Sequence, residues 1–167
     1  MVGALLAVAL TGCSGSPAAP THAAPTEAVL RARVVTRGAL SASATYSVTT
    51  GPNGVSNCDA AAKAGNSSLG EFTVRAPGTK QAPLYFEFRT VAFHGPARYE
   101  QRAVKLDSVL AVLGRRSVYF ERAPDSRVSM TINRDGSGTA SFASFVSPDG
   151  RSLNGITTWR CDTEPAV

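Results

Sequence analysis

The stretch RVSMTINRDGSGTASFASFVSPDGRSLNGITTWRC, residues 127–161, decides the fold class. Val128, Met130 and Ile132 fall on one parity, and a two-residue period places alternate side chains on one face of a strand. Arg134 to Gly138 then supplies a turn, TASFASF (139–145) returns, SPDG (147–150) turns again, and ITTWRC (156–161) closes the run. Asp-Gly and Pro-Asp-Gly tolerate the positive φ that tight hairpins need, so this third of the chain predicts an antiparallel meander. DGSG at 135–138 lacks the alternating acids and distal Glu of a calcium loop and reads as the hairpin itself.

Upstream, PLYFEFRTVAF (83–93) puts Leu84, Phe86 and Phe88 on one parity and Tyr85, Glu87 and Arg89 on the other, a strand half buried on a sheet. LGEFTVRA before it and SVYFER (117–122) after it read the same way. TEAVLRARVVTRG (26–38) fits either a short helix or a strand, and its neighbours favour the strand. LDSVLAVL (106–113) leaves helix and strand open, and DAAAKAG (59–65) predicts one or two helical turns ending at Gly65. No internal repeat is present. Short strands, frequent turn signals and little helix predict an all-β domain, an antiparallel β-sandwich or partly open barrel with a C-terminal meander.

The chain has 167 residues, 43% hydrophobic and 17% charged, enough for one globular core. Its only membrane-like run is VGALLAVAL (2–10), and nine residues fall well short of the roughly 20 a spanning helix needs. The run reads as the apolar part of a secretion signal. No Lys or Arg precedes it, which a start codon assigned too far downstream explains. It leads into Leu10-Thr11-Gly12-Cys13, and these four residues resemble the lipobox of bacterial lipoproteins. That resemblance implies diacylglycerol on the Cys13 thiol and cleavage before it. Several acyl chains, at about 0.8 kcal/mol per buried methylene, would hold the protein to a membrane without any protein contact. The expected organisation is a signal peptide over 1–12, a lipid-anchored Ala/Pro/Ser linker over 13–27 and one β-rich extracytoplasmic domain over 28–167. The linker is Pro-rich and lacks periodic apolar residues, as a semi-extended tether should.

Lipidation of Cys13 resolves an odd cysteine count. In an oxidising compartment the remaining two, Cys58 and Cys161, are expected to form a disulfide. A metal site is the weaker reading, since neither has a Cys or His at ligand spacing. Trp159, two residues from Cys161, is expected on the same side of the sheet and in the core.

Arginine outnumbers lysine 14 to 3, giving a formal charge of +5. The arginines are scattered and not interleaved with aromatics, so they read as solvated surface charge with weak attraction to anionic headgroups or wall polymers, and no nucleic-acid partner is expected. His94 is the one histidine beyond the tether, and no Gly-x-Ser-x-Gly elbow accompanies it. Glu87, Glu100 and Glu121 lie on or near strands, and whether any two face each other across a cleft is not readable from sequence. Phosphate-loop, Ser-x-x-Lys and His-Glu-x-x-His motifs are absent from the sequence. No catalytic residue, metal or cofactor is expected.

The lipobox, the tether, Cys58 early in the domain and the closing strand ending at Cys161 are together similar to the small secreted lipoproteins of actinobacteria, in general plan to the mycobacterial 19 kDa lipoprotein antigen family. The resemblance implies an envelope-anchored β-domain without catalytic residues. The expected function is therefore a lipid-anchored, non-catalytic binding or structural module on the extracytoplasmic face of the plasma membrane, with an envelope lipid, polymer or protein as partner. Two alternatives stand beside it. One is a carrier holding an apolar molecule between its sheets, lined by Phe86, Phe88, Val118 and Phe120. The other is an envelope-polymer hydrolase using His94.

Overall fold

The computed structural model describes residues 26–49, 58–65, 70–78, 83–113 and 115–165. Cys13, the secretion signal and the tether up to residue 25 lie outside the described residues. The chain forms β1 (Thr26–Gly38), β2 (Ala42–Thr49), α1 (Cys58–Ala64), β3 (Thr73–Pro77), β4 (Leu84–Thr90) and β5 (Arg98–Glu100). A 3-10 turn (Gln101–Ala103) follows, then β6 (Val104–Lys105), β7 (Ser108–Leu113), β8 (Arg116–Ile132), β9 (Gly138–Val146) and β10 (Ser152–Pro165). The fold is mostly β with one short helix, as expected. No helix among the described residues is long and apolar enough to cross a membrane.

One antiparallel sheet runs in the order β2-β1-β10-β9-β8-β7-β4-β3, with β5 beside β8 and β6 beside β4. The ends of this path, β2 and β3, return to within 8 Å of each other (Cα to Cα), and no ladder joins them among the described residues. The sheet is therefore bent over on itself into a sandwich-like arrangement. Its two halves bury a shared core that includes Tyr46, Phe86, Phe88, Phe120, Phe142 and Trp159. Full burial of such a ring is worth about 1.5–3 kcal/mol.

β1 shows why the 26–38 segment is a strand. Ala28, Leu30, Ala32, Val34 and Thr36 are all buried, a strict period of two, while Arg31, Arg33 and Arg37 face out. A helix would scatter those five positions around its axis. β1 begins two residues before residue 28 and pairs along its whole length with β10, from Thr26↔Pro165 to Gly38↔Leu153. Arg31 reaches across to Asp162 (2.7 Å) and Glu164, exposed pairs that each contribute at most about 1 kcal/mol.

The hairpin between β8 and β9 is the predicted one: Asn133 N–H donates to the Ser137 carbonyl (2.8 Å), and Gly136 takes φ +79°. Gly138 and Gly155 matter for a different reason. A Cβ on Gly138 would lie 2.4 Å from the Trp159 ring, and one on Gly155 would lie 2.3 Å from the Phe142 ring. Both rings pack directly against bare backbone.

SVYFER and RVSMTIN, two strands in the sequence reading, are one strand of 17 residues, β8. Its first half pairs with β7 and its second half with β9 and β5, so β8 carries the chain around the bend in the sheet.

Candidate functional site

The bend in β8 is made by a bulge. Arg122 is opposite Phe145 and Arg127 is opposite Ala143, so four residues, Ala123 to Ser126, face a single one, Ser144. Pro124 has no N–H to offer a ladder, which suits it to a bulge. The extra loop is held in place through Ser126, a buried side chain whose hydroxyl accepts from Ala123 N–H (2.8 Å) and donates to the Ser144 carbonyl (2.6 Å). Ser144 adopts φ +57°, and its N–H donates to Asn154 Oδ1 (2.9 Å). Bulges of this kind re-aim side chains, and they concentrate at bends and next to sites.

Beside the bulge lies the 3-10 turn. Gln101 opens it at φ +49°, and its Oε1 accepts from Arg122 Nη2 (3.0 Å). Three non-glycine residues among those described have positive φ, and two of them, Gln101 and Ser144, flank this spot. Such backbone costs of order 1–3 kcal/mol per residue and persists where the surrounding structure over-determines it.

The bulge, the turn and β5 enclose two contiguous surface hollows of about 730 and 560 Å³ that share Gln101 and Arg127. Arg98, Arg102, Arg122 and Arg127 line them, against two acids, Glu100 and Asp125. Arg98 Nε holds Glu100 at 2.6 Å. Among the described residues no carboxylate forms an ion pair with Arg102, Arg122 or Arg127. The groove is thus polar, concave and net positive.

The sequence-predicted positions distribute as follows. Cys58 and Cys161 form the expected disulfide, with Cα atoms 5.5 Å apart, and pack with Ala28 and Ala61. It pins α1 onto β10. Trp159 is core; its Nε1 donates to the Gly136 carbonyl (2.8 Å) and its ring stacks on Phe72 at 6.2 Å. Phe86, Phe88 and Phe120 are fully buried and Val118 is half-buried. Phe86 meets Phe88 edge-on at 5.4 Å, and both rings lie within 6.4 Å of Phe142.

His94 lies exposed in the loop before β5, its ring 4.8 Å from that of Tyr99 and its Nδ1 3.3 Å from the Ala92 carbonyl. Among the described residues the ring makes no hydrogen bond to a hydroxyl, thiol or carboxylate. Glu87 pairs with Arg75 and Arg89, and Glu100 with Arg98, so each serves a surface ion pair. No group of three potential metal ligands forms among the described residues.

Reading the arginines as scattered charge passed over the groove, because its four guanidiniums come from positions 98, 102, 122 and 127 and only the β5–β8 pairing brings them together. The one local signal was APDS, a Pro-Asp interruption between two well-patterned strand segments, which marks a bulge. No protein-family model, no curated protein and no solved structure matches this chain.

Proposed function

We propose that this chain is a non-catalytic binding module of the bacterial envelope, anchored by lipid at Cys13 to the extracytoplasmic face of the plasma membrane, with the groove at the β8 bulge as its binding face. The groove carries the reading: a hydrogen-bonded bulge and a strained turn frame one polar concavity, and natural sheets place bulges beside sites. The disulfide supports the location, since paired structural cysteines belong to oxidising compartments and the pairing of Cys58 with Cys161 leaves Cys13 for another use. Fatty-acid labelling in the native host tests it. Wild type should carry label and sediment with membranes, and Cys13→Ala should lose both; an unlabelled, cytosolic wild type with a bare Cys13 thiol would overturn the reading.

A second reading, the carrier of an apolar guest, draws on one observation. Among the described residues the buried hydroxyls of Thr36, Tyr46 and Thr157 make no well-formed hydrogen bond, although Tyr46 and Thr157 interact with each other, and a guest with a polar end would satisfy them. The close ring contacts among Phe86, Phe88 and Phe142 oppose it, because a guest would have to part them. Mass spectrometry of lipid copurifying with the protein separates the two readings.

A further inference from the structure

We propose that the groove between β5, the 3-10 turn and the β8 bulge binds an extended anionic chain, a polymer carrying phosphate or carboxylate groups at intervals, through Arg98, Arg102, Arg122 and Arg127. The inference rests on the groove being the binding face and goes further by naming the class of ligand.

Guanidinium is a planar fork of donors that matches carboxylate and phosphate oxygens two at a time. A single exposed contact of this kind is weak, so useful affinity needs several at once, and that selects a multivalent ligand over a free ion. The shape agrees: two hollows meet at Gln101 and Arg127, a path long enough for more than one anionic group. Ser129 and Ser141, whose hydroxyls meet at 2.9 Å on the floor of the second hollow, can donate to uncharged oxygens between the anionic groups. Asp125 has no ion-pair partner among the described residues and repels anions from its part of the rim.

Two features weigh against rival polyanions. Among the described residues the lining contains no aromatic side chain, so bases would find no stacking platform there, which disfavours nucleic acid. The register disfavours a lipid surface. Arg122 sits opposite Phe145, Phe145 opposite Leu153 and Leu153 opposite Gly38, so Arg122 is level with the end of β1 twelve residues from Thr26, where the tether joins. At about 3.3 Å per residue that is roughly 40 Å along the strand, and Arg98, through Thr131, Thr139 and Thr158, is level with Arg33, roughly 23 Å from Thr26, so the groove lies well along the strands from the end that the tether enters.

The test is calorimetric titration of the full-length protein at low salt with long-chain inorganic polyphosphate, polygalacturonate, orthophosphate and anionic phospholipid vesicles. One or both polymers should bind, at least tenfold more tightly per anionic group than orthophosphate, and the two arms tell phosphate from carboxylate. Arg102→Ala with Arg127→Ala should weaken polymer binding about tenfold and reduce the slope of log affinity against log salt by about 1–2. Arg116→Ala with Arg134→Ala removes the same charge elsewhere and should change affinity less than twofold. If the alanine pair lowers the unfolding midpoint, Arg102→Lys with Arg127→Lys replaces it, keeping charge and losing the fork. The proposal fails if neither polymer binds, if the control pair weakens binding equally, or if vesicles alone bind through the groove. Lipidation at Cys13 is measured separately, so either result can fail alone.

Discussion

Removing the Cys58–Cys161 bridge distinguishes two roles that the structure gives it. The bridge closes 103 residues of chain, and in the chain-entropy model a loop of about that length restrains the unfolded state by about 4.7 kcal/mol at most. It also pins α1, which otherwise meets the sheet through little more than Ala61 and Ala62. In Cys58→Ala/Cys161→Ala the first role predicts a loss of about 3–5 kcal/mol for the whole domain. At roughly 3 °C per kcal/mol for a domain of this size, Tm falls about 9–15 °C. Guanidinium unfolding should show a larger m as well, because the freed chain exposes more surface. Amide exchange completes the assay: protection should fall throughout β8, β9 and β10, not in α1 alone. A variant with an unchanged midpoint and m, exchanging faster only over 58–64, would refute the entropic account and leave the bridge as a clamp for one helix.

Three further outcomes follow from packing and charge. Gly138→Ala puts a methyl 2.1 Å from the Thr131 carbonyl and against Trp159, so it should cost about 1–3 kcal/mol and alter Trp fluorescence; wild-type stability and emission would show that the ring does not lie on bare backbone. In alkali, burial pushes the Tyr46 and Tyr99 phenols up from their ordinary value. The unfolded chain therefore loses these protons first, and stability, intact below about pH 10, falls above it by about 1.4 kcal/mol per pH unit for Tyr46; stability that stayed level through that range would contradict this. Asp149, hydrogen-bonded by Arg151 and Ser147, is held down to about 2, so its carboxyl NMR signal should titrate there. Its contribution is present above pH 3.8 and lost as pH falls through about 2, and Arg151→Ala should move the midpoint up.

The sequence was most legible where one face of each strand is buried and turns are built from Gly, Asp and Pro. There the parity of Val128, Met130 and Ile132, the DGSG and SPDG turns and the pairing of Cys58 with Cys161 all read correctly. β1 and β7 were ambiguous because their Ala, Leu and Val also suit helices; what decides is the partner strand on each edge, which a local window does not contain. The length of β8 was hidden by Pro124, since a proline that ends one strand and a proline inside a bulge look alike without the register. The groove was least legible, because each arginine taken alone is an ordinary exposed charge. Its geometry comes from a three-residue strand, β5, docking on β8, and a strand that short leaves almost no periodic signal.

The ladder between β1 and β10 has a mechanical consequence. Tension applied through residue 25 enters a strand bonded on both edges, to β10 over 26–38 and to β2 over 29–36. A load pulling the groove end the opposite way would act along β1, and the hydrogen bonds on its two edges would share it in shear. β1 is thus placed to transmit a pull without peeling, a trait that would suit the proposed lipid-tethered binding module.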